Sequence, residues 1–231
     1  MRKFALFASL VVSSLCLAEK KLNRNYLDDD KIKEEIISVA RDASHLEWSE
    51  IGDGIKQATL SGSPYSGWVK YFYPNGDGVL MGLVELREGL AHGLHVHWFE
   101  NGKKMEVAEW LNGKRNGLTS IWFENGQKKT ECVYKDGKQD GLQTEWYSNG
   151  KRSAEVTFKG GLANNGRKWL PNGGICPISK LTNGTGVMVA YDISGKELRK
   201  FFVNNGKIFK ESASIPEPDF KEAPIPAVFP E

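Results

Sequence analysis

The chain has 231 residues, room for one large domain or two small ones, and its apolar and charged shares of 40% and 26% exclude wholesale disorder. Lys and Arg number 31 against 29 Asp and Glu, and setting aside Arg2 and Lys3 equalises them, which excludes the clustered basic face of a nucleic-acid binder. The 25 glycines and 7 tryptophans point instead to many turns and flat aromatic strands.

Residues 1–18 have the organisation of an export signal. Met1-Arg2-Lys3 is a short positive start, residues 4–17 are apolar apart from serines, and Cys16-Leu17-Ala18 offers small residues for cleavage before Glu19. The apolar run is too short to span a bilayer. The chain is therefore expected to be exported, to a periplasm or beyond the cell. Lipid attachment at Cys16 is an alternative, against which Leu15 occupies the position where that pathway takes a small residue. Cleavage after Ala18 leaves Cys132 and Cys176, which either pair in an oxidising compartment or stay as buried thiols.

Asp28-Asp29-Asp30 precedes Ile32, Ile36, Val39, Ala40, Ala43 and Leu46, apolar positions that fall on one side of a helix. The acids suit the positive end of its dipole. This segment, within 19–46, is expected to cap the open edge of the first hairpin, with a partner-binding helix as the alternative. Residues 55–60 and Gly62-Ser63-Pro64-Tyr65-Ser66-Gly67-Trp68 are read as a divergent first unit.

A repeat follows. Asn101-Gly102, Asn125-Gly126 and Asn149-Gly150 are 24 residues apart; Asn75-Gly76 lies 26 earlier and Asn172-Gly173 lies 23 later. An aromatic stands three residues before each Asn: Phe72, Trp98, Trp122, Trp146 and Trp169. Residues 118–123 are β-branched and aromatic, bounded by glycine, as in a strand. Asn-Gly predicts a type I′ hairpin turn with positive φ at both residues. The second half alternates, so that Thr130, Cys132 and Tyr134 share a face, as do Glu106, Ala108 and Trp110, and Ala154, Val156 and Phe158. The predicted core of the repeat is thus Phe72, Trp98, Trp122, Trp146 and Trp169 with Trp110, Tyr134 and Phe158. The expected fold is mainly β: an elongated antiparallel meander of stacked hairpins over 47–212, held by nearest neighbours, with a short N-terminal amphipathic helix.

The units Gly93-Leu94-x-x-x-Trp98-Phe99-Glu100-Asn101-Gly102 and Gly117-Leu118-x-x-x-Trp122-Phe123-Glu124-Asn125-Gly126 resemble the bacterial variant of the MORN repeat. The closing Tyr134-Lys135-Asp136-Gly137-Lys138-x-x-Gly141 fits as well. This variant typifies YwqK-family antitoxins, and the resemblance implies a hairpin array that binds a protein. An exported chain departs from toxin neutralisation in the cytosol, so fold and protein binding carry over and the antitoxin role stands as an alternative. Beyond the array, residues 187–191 and 198–203 predict a final hairpin closed by Asn204-Asn205-Gly206. Pro216, Pro218, Pro224, Pro226 and Pro230 mark 213–231 as an extended, flexible tail.

Candidate chemistry is sparse. His92, His95 and His97 cluster around one strand, where a metal is conceivable. The aligned slots hold Asn116, Thr119 and Ile121, then Asp140, Gln143 and Glu145, so these positions read as variable and exposed. No nucleophile elbow, P-loop, Cys-x-x-Cys pair or dinucleotide fingerprint is present. No catalytic residue and no cofactor are therefore expected. The sequence points to a non-catalytic exported scaffold for protein–protein interaction at the cell envelope, with a membrane- or glycan-associated module as the alternative.

Overall fold

The computed structural model describes residues 26–52, 54–74 and 77–213. The export segment 1–18, the Asn75-Gly76 turn and the tail after Ala213 lie outside the described residues. Two units are distinguished, 1–39 and 40–231.

The first unit holds a 3-10 turn at Tyr26–Asp28 and one helix, α1 (Asp30–Val39). Asp29 starts the helix, its Oδ1 accepting from the amides of Lys31 at 3.0 Å and Ile32 at 3.3 Å. Ile36 is fully buried. The helix stops at Val39, short of the expected Leu46. Asp42 is the cause: its carboxylate accepts from the Ser44 amide at 2.9 Å and opens a separate 3-10 turn, Ala43–His45. Among the described residues no helix is long and apolar enough to cross a membrane.

The second unit is one fourteen-stranded sheet with a small three-stranded sheet. The short β1 (Arg41–Asp42) pairs parallel to β5 (Gly67–Phe72). From there the chain runs as an antiparallel meander: β6 (Leu80–Arg87), β7 (Leu90–Trp98), β8 (Lys104–Leu111), β9 (Lys114–Trp122), β10 (Lys128–Lys135), β11 (Lys138–Trp146), β12 (Arg152–Lys159), β13 (Leu162–Trp169), β14 (Ile175–Thr182), β15 (Thr185–Tyr191), β16 (Glu197–Asn204) and β17 (Lys207–Ala213). The array thus continues one strand past the expected final hairpin.

The small sheet consists of β2 (Glu47–Gly52), β3 (Ile55–Leu60) and β4 (Ser63–Pro64). Residues 55–60 are therefore not a first hairpin of the meander but part of this separate sheet, which lies on the start of the array. Leu46 and Ala58 pack with Val69, Tyr71, Val84 and Leu86, flanked by Trp48, Leu60 and Tyr65. Backbone bonds tie it down: the Ala58 amide donates to Gly89 O at 2.8 Å and the Gly89 amide to Tyr65 O at 2.7 Å. A second cluster, Leu181, Met188 and Val203, sits near the far end.

The two kinds of turn divide the work. Asn112, Asp136, Asn183 and Asn205 have φ near +50° and each precedes a positive-φ glycine, so the two-residue type I′ turns are there. Asn101, Asn125 and Asn149 are absent from the positive-φ residues, which corrects the expected turn type. At Phe99 the chain makes a longer loop instead: the Gly102 amide donates to Phe99 O at 2.9 Å and the Phe99 amide to Lys103 O at 2.8 Å, with glycine alone in the left-handed region. Asparagine is used here for its side chain. Asn125 Oδ1 accepts from the Gln127 amide at 3.0 Å, while Nδ2 donates to Ser148 O of the next loop at 2.9 Å. Asn101 reaches Glu124 O and Asn149 reaches Pro171 O in the same way. At the opposite edge, the amides of Gly113, Gly137 and Gly161 donate to Ala91, Arg115 and Gln139 O at 2.8–2.9 Å.

The loops at 99–103, 123–127 and 147–151 are therefore each clamped to the next by an asparagine amide, with Lys103 and Lys151 adding bonds to Asn125 O and Asn172 O. Replacing Asn125 with Asp keeps the local acceptor and removes the donor to Ser148; we expect it to cost about 1 kcal/mol, and Asn125→Ala about 2 kcal/mol, in denaturant unfolding. Equal costs would mean that the inter-loop bond carries nothing.

Candidate functional site

Register places every second side chain of the array in straight rows across the strands. On one face His95, Ala108, Thr119, Cys132, Gln143 and Val156 stand directly opposite one another from β7 to β12. Beside them runs a second row, His97, Glu106, Ile121, Thr130, Glu145 and Ala154. Polar groups concentrate where these rows cross β7 to β11.

Arg115 is the centre of that concentration. Its guanidinium lies over the rings of Trp110 and Tyr134, at 5.2 and 5.7 Å from their centroids, so two successive repeat aromatics enclose it. Nη1 meets Glu106 Oε1 at 2.5 Å and Thr119 Oγ1 at 3.3 Å. Glu106 is buried, with 2% of its surface exposed, and His97 Nδ1 approaches its other oxygen at 3.8 Å. A buried carboxylate persists only with such partners. Further along the same face Gln139 donates to Gln143, and Gln143 to Glu145 at 2.7 Å.

His95 and His97 differ from expectation: they are 1% and 3% exposed, not surface positions. β3 packs against β7 and closes this part of the face, which a repeat alignment cannot reveal. The His95 ring stacks on Trp110 at 5.2 Å, and its Nε2 donates to Glu85 O at 3.0 Å. A carbonyl only accepts, so Nε2 carries the proton and Nδ1, which has no partner among the described residues, is the bare acceptor. Burial pushes the His95 imidazole down to about 3 and lowers His97, against which Glu106 pulls upward. Both are neutral rings at pH 7. His92 is half-buried and lowered by burial and by Arg87. Among the described residues no three His, Cys, Asp or Glu side chains converge as a metal site.

Cys132 and Cys176 are separate, buried and free. Burial raises the Cys132 thiol. For Cys176 burial acts in the same direction, but its hydrogen bonds, Sγ donating to Ser179 Oγ at 3.2 Å and meeting Tyr191 Oη at 3.1 Å, together with backbone bonds at Ile178 and Ser179, outweigh it and lower the thiol.

The predicted aromatic core divides by position. Trp98 is buried, while Trp122, Trp146, Trp169, Trp110, Tyr134 and Phe158 are half-buried. On the face opposite the Arg115 cluster, Lys128 Nζ lies 5.6 Å over Trp146 and Arg152 Cζ 5.3 Å over Trp169, each a cation covering the aromatic of the next unit. Glu131 and Glu155 hold those cations in turn. Phe72 departs from the expected core, being 36% exposed. β1 pairs only with Val69 and Lys70, so among the described residues no strand lies outside Phe72 to cover it.

Sequence reasoning passed over Arg115. The signal was there: Glu106 aligns with Thr130 and Ala154, and Arg115 with Gln139 and Ala163, so an acid and a base enter the repeat in the same unit.

Two predictions follow from this burial. Arg115→Ala strands the Glu106 carboxylate and is expected to cost about 3 kcal/mol or more in equilibrium unfolding, with Arg115→Lys intermediate because ammonium cannot lie flat between two rings. The histidines have folded pKa values below their unfolded value of about 6.5, so the unfolded chain binds more protons and stability falls as pH drops below about 6.5. For His95 the loss is about 2 kcal/mol by pH 5, and His97 adds in the same direction. His95→Gln should flatten the midpoint-versus-pH curve between pH 7 and 5; an unchanged slope would show that the ring is solvated.

The MORN repeat variant matches residues 115–136 and 139–159, which are β9–β10 and β11–β12 with their loops. No curated protein matches the chain. Among solved structures, the Glycosylation Associate Protein (Gap123) complex from Streptococcus agalactiae is 13% identical over 63% of this chain and 27% of that one, with a TM-score of 0.24. TarM is likewise 13% identical, over 65% of this chain and 26% of that one, with a TM-score of 0.26. The chain spans about a quarter of the length of each. Two adjacent hairpins at the centre of the array thus carry the MORN repeat variant.

Proposed function

We propose that this chain is a non-catalytic repeat scaffold that binds a protein partner, and that it works outside the cytosol at the cell envelope. One observation carries the reading. From β9 onward the sheet's face opposite the Arg115 cluster presents half-exposed aromatic, charged and aliphatic side chains, with no second layer over it among the described residues of the 40–231 unit. Exposed ridged surfaces of this kind suit large partners. MORN repeats generally mediate protein or membrane binding.

Physical arguments favour the protein over the other two surfaces. Anionic membranes attract basic clusters, whereas the chain without its first three residues is balanced in charge. Sugars stack on bare rings, whereas Trp146 and Trp169 carry Lys128 and Arg152 over their faces. The groups of the Arg115 cluster are engaged with one another, and the two rows hold no exposed nucleophile paired with a base. The export-signal pattern expected from residues 1–18 supports the location.

Cross-linking of tagged protein in its native envelope, followed by light scattering on the purified complex, should give one partner at fixed stoichiometry. Flotation with anionic vesicles, or retention on a glycan array, in the absence of any protein partner would sink the proposal.

A further inference from the structure

The face opposite the Arg115 cluster contains one long row of directly opposed residues. It runs Val96, Val107, Ser120, Glu131, Thr144, Glu155, Arg167, Lys180, Val187 and Phe202. At most steps a charge meets an apolar, a hydroxyl or an opposite neighbour. Arg167 and Lys180 break that order, because two cations stand directly opposite each other on adjacent strands. Such a pair is destabilising. Local compensation is incomplete: Glu155, across from Arg167, is already bound by Arg152 at 2.8 Å. Glu155 is the one acid among the lining residues against Arg167 and Lys180, and Arg167 also lies over the Trp169 ring at 5.8 Å.

The same residues line a groove of about 490 Å³. Its two ends are aliphatic, Leu142 on β11 and Ile175 with Pro177 on β14, and Leu142 and Ile175 are 48% and 64% exposed. Thr157 supplies a hydroxyl to the floor. The groove crosses β11 to β14, three strand spacings or about 14 Å, which an extended chain covers in about four residues. Side chains of an extended segment alternate, so an acid and an aliphatic residue two apart point the same way.

We propose that this groove binds an extended acidic segment of a partner protein, one carboxylate between Arg167 and Lys180 and an aliphatic side chain over Ile175 and Pro177. The inference rests on the protein-binding reading above and names the chemistry of the partner. Positive charge without enough counter-charge selects the acid, and the aliphatic end selects against a free small anion.

The probe is a fluorescein-labelled peptide of alternating Glu and Leu, titrated with the full-length chain by anisotropy at low salt. Saturable binding is expected, weakened at least tenfold by Arg167→Glu with Lys180→Glu and at least threefold by Ile175→Asp. Lys180→Gln alone should also weaken binding while holding or raising the thermal midpoint, since it relieves the like-charge contact; a merely structural lysine would lower the midpoint. Unchanged affinity in the double variant overturns the proposal, as does equal affinity for an all-Glu peptide. Residues 214–231 contain Glu217, Asp219, Glu222 and Glu231 against Lys221 and are a rival occupant. A full-length chain carrying Glu217→Lys, Asp219→Lys and Glu222→Lys that binds the peptide tenfold more tightly would assign the groove to this segment and overturn the partner. If the cross-linked partner still binds the double variant, the groove assignment fails and the scaffold stands. If the peptide binds as expected but no partner is recovered, the scaffold reading fails and the groove stands.

Discussion

Among the described residues the sheet from β9 to β17 is one layer thick, with no opposing layer against which to bury its faces, and this constraint governs that part of the array. Stability has to come from the hairpin before and the hairpin after. The central units meet the requirement in three ways. An asparagine amide ties each long loop to the next, a glycine amide ties each type I′ turn to a carbonyl about 22 residues back, and a cation lies over the neighbouring aromatic. The Arg115 cluster is a fourth tie, present once, where the array passes out from under the three-stranded sheet. There the face is still closed enough to bury Glu106 and His95, yet too polar to be an ordinary core.

Much of this was legible in the residues. The 24-residue period fixes the hairpins, and period-two alternation sorts Thr130, Cys132 and Tyr134 onto one face, as the register confirms. Misreadings arose where tertiary context overrode the local pattern. Ala40, Ala43 and Leu46 continue a helical spacing, but Asp42 interrupts it by capping a new turn, and Leu46 joins the core of the second unit. Residues 55–60 look like a strand of the meander and are a strand of another sheet.

The asparagines are instructive in a different way. Asn-Gly in a hairpin loop suggests positive φ, yet the asparagine stays in ordinary backbone space and spends its side chain on the adjacent loop. The short turns that do need positive φ use Asn112 or Asp136 instead. Recurrence of a residue marks its importance without saying which of its atoms matters. The histidines make the same point: their slots vary between units, and variation suggested exposure. Burial at His95 comes from β3, which the other units lack.

Because the donor of each asparagine clamp is in one unit and its acceptor in the next, the three junctions between the 99–103, 123–127, 147–151 and 170–174 loops use the same atoms. A gene that gained or lost one full period would recreate each junction intact, whereas a shift of one residue within a strand would exchange its two faces. The array is thus a ruler that can change length only in whole divisions. Its span, and with it the number of side-chain rows offered to a partner, can be altered while the chemistry of each row is kept.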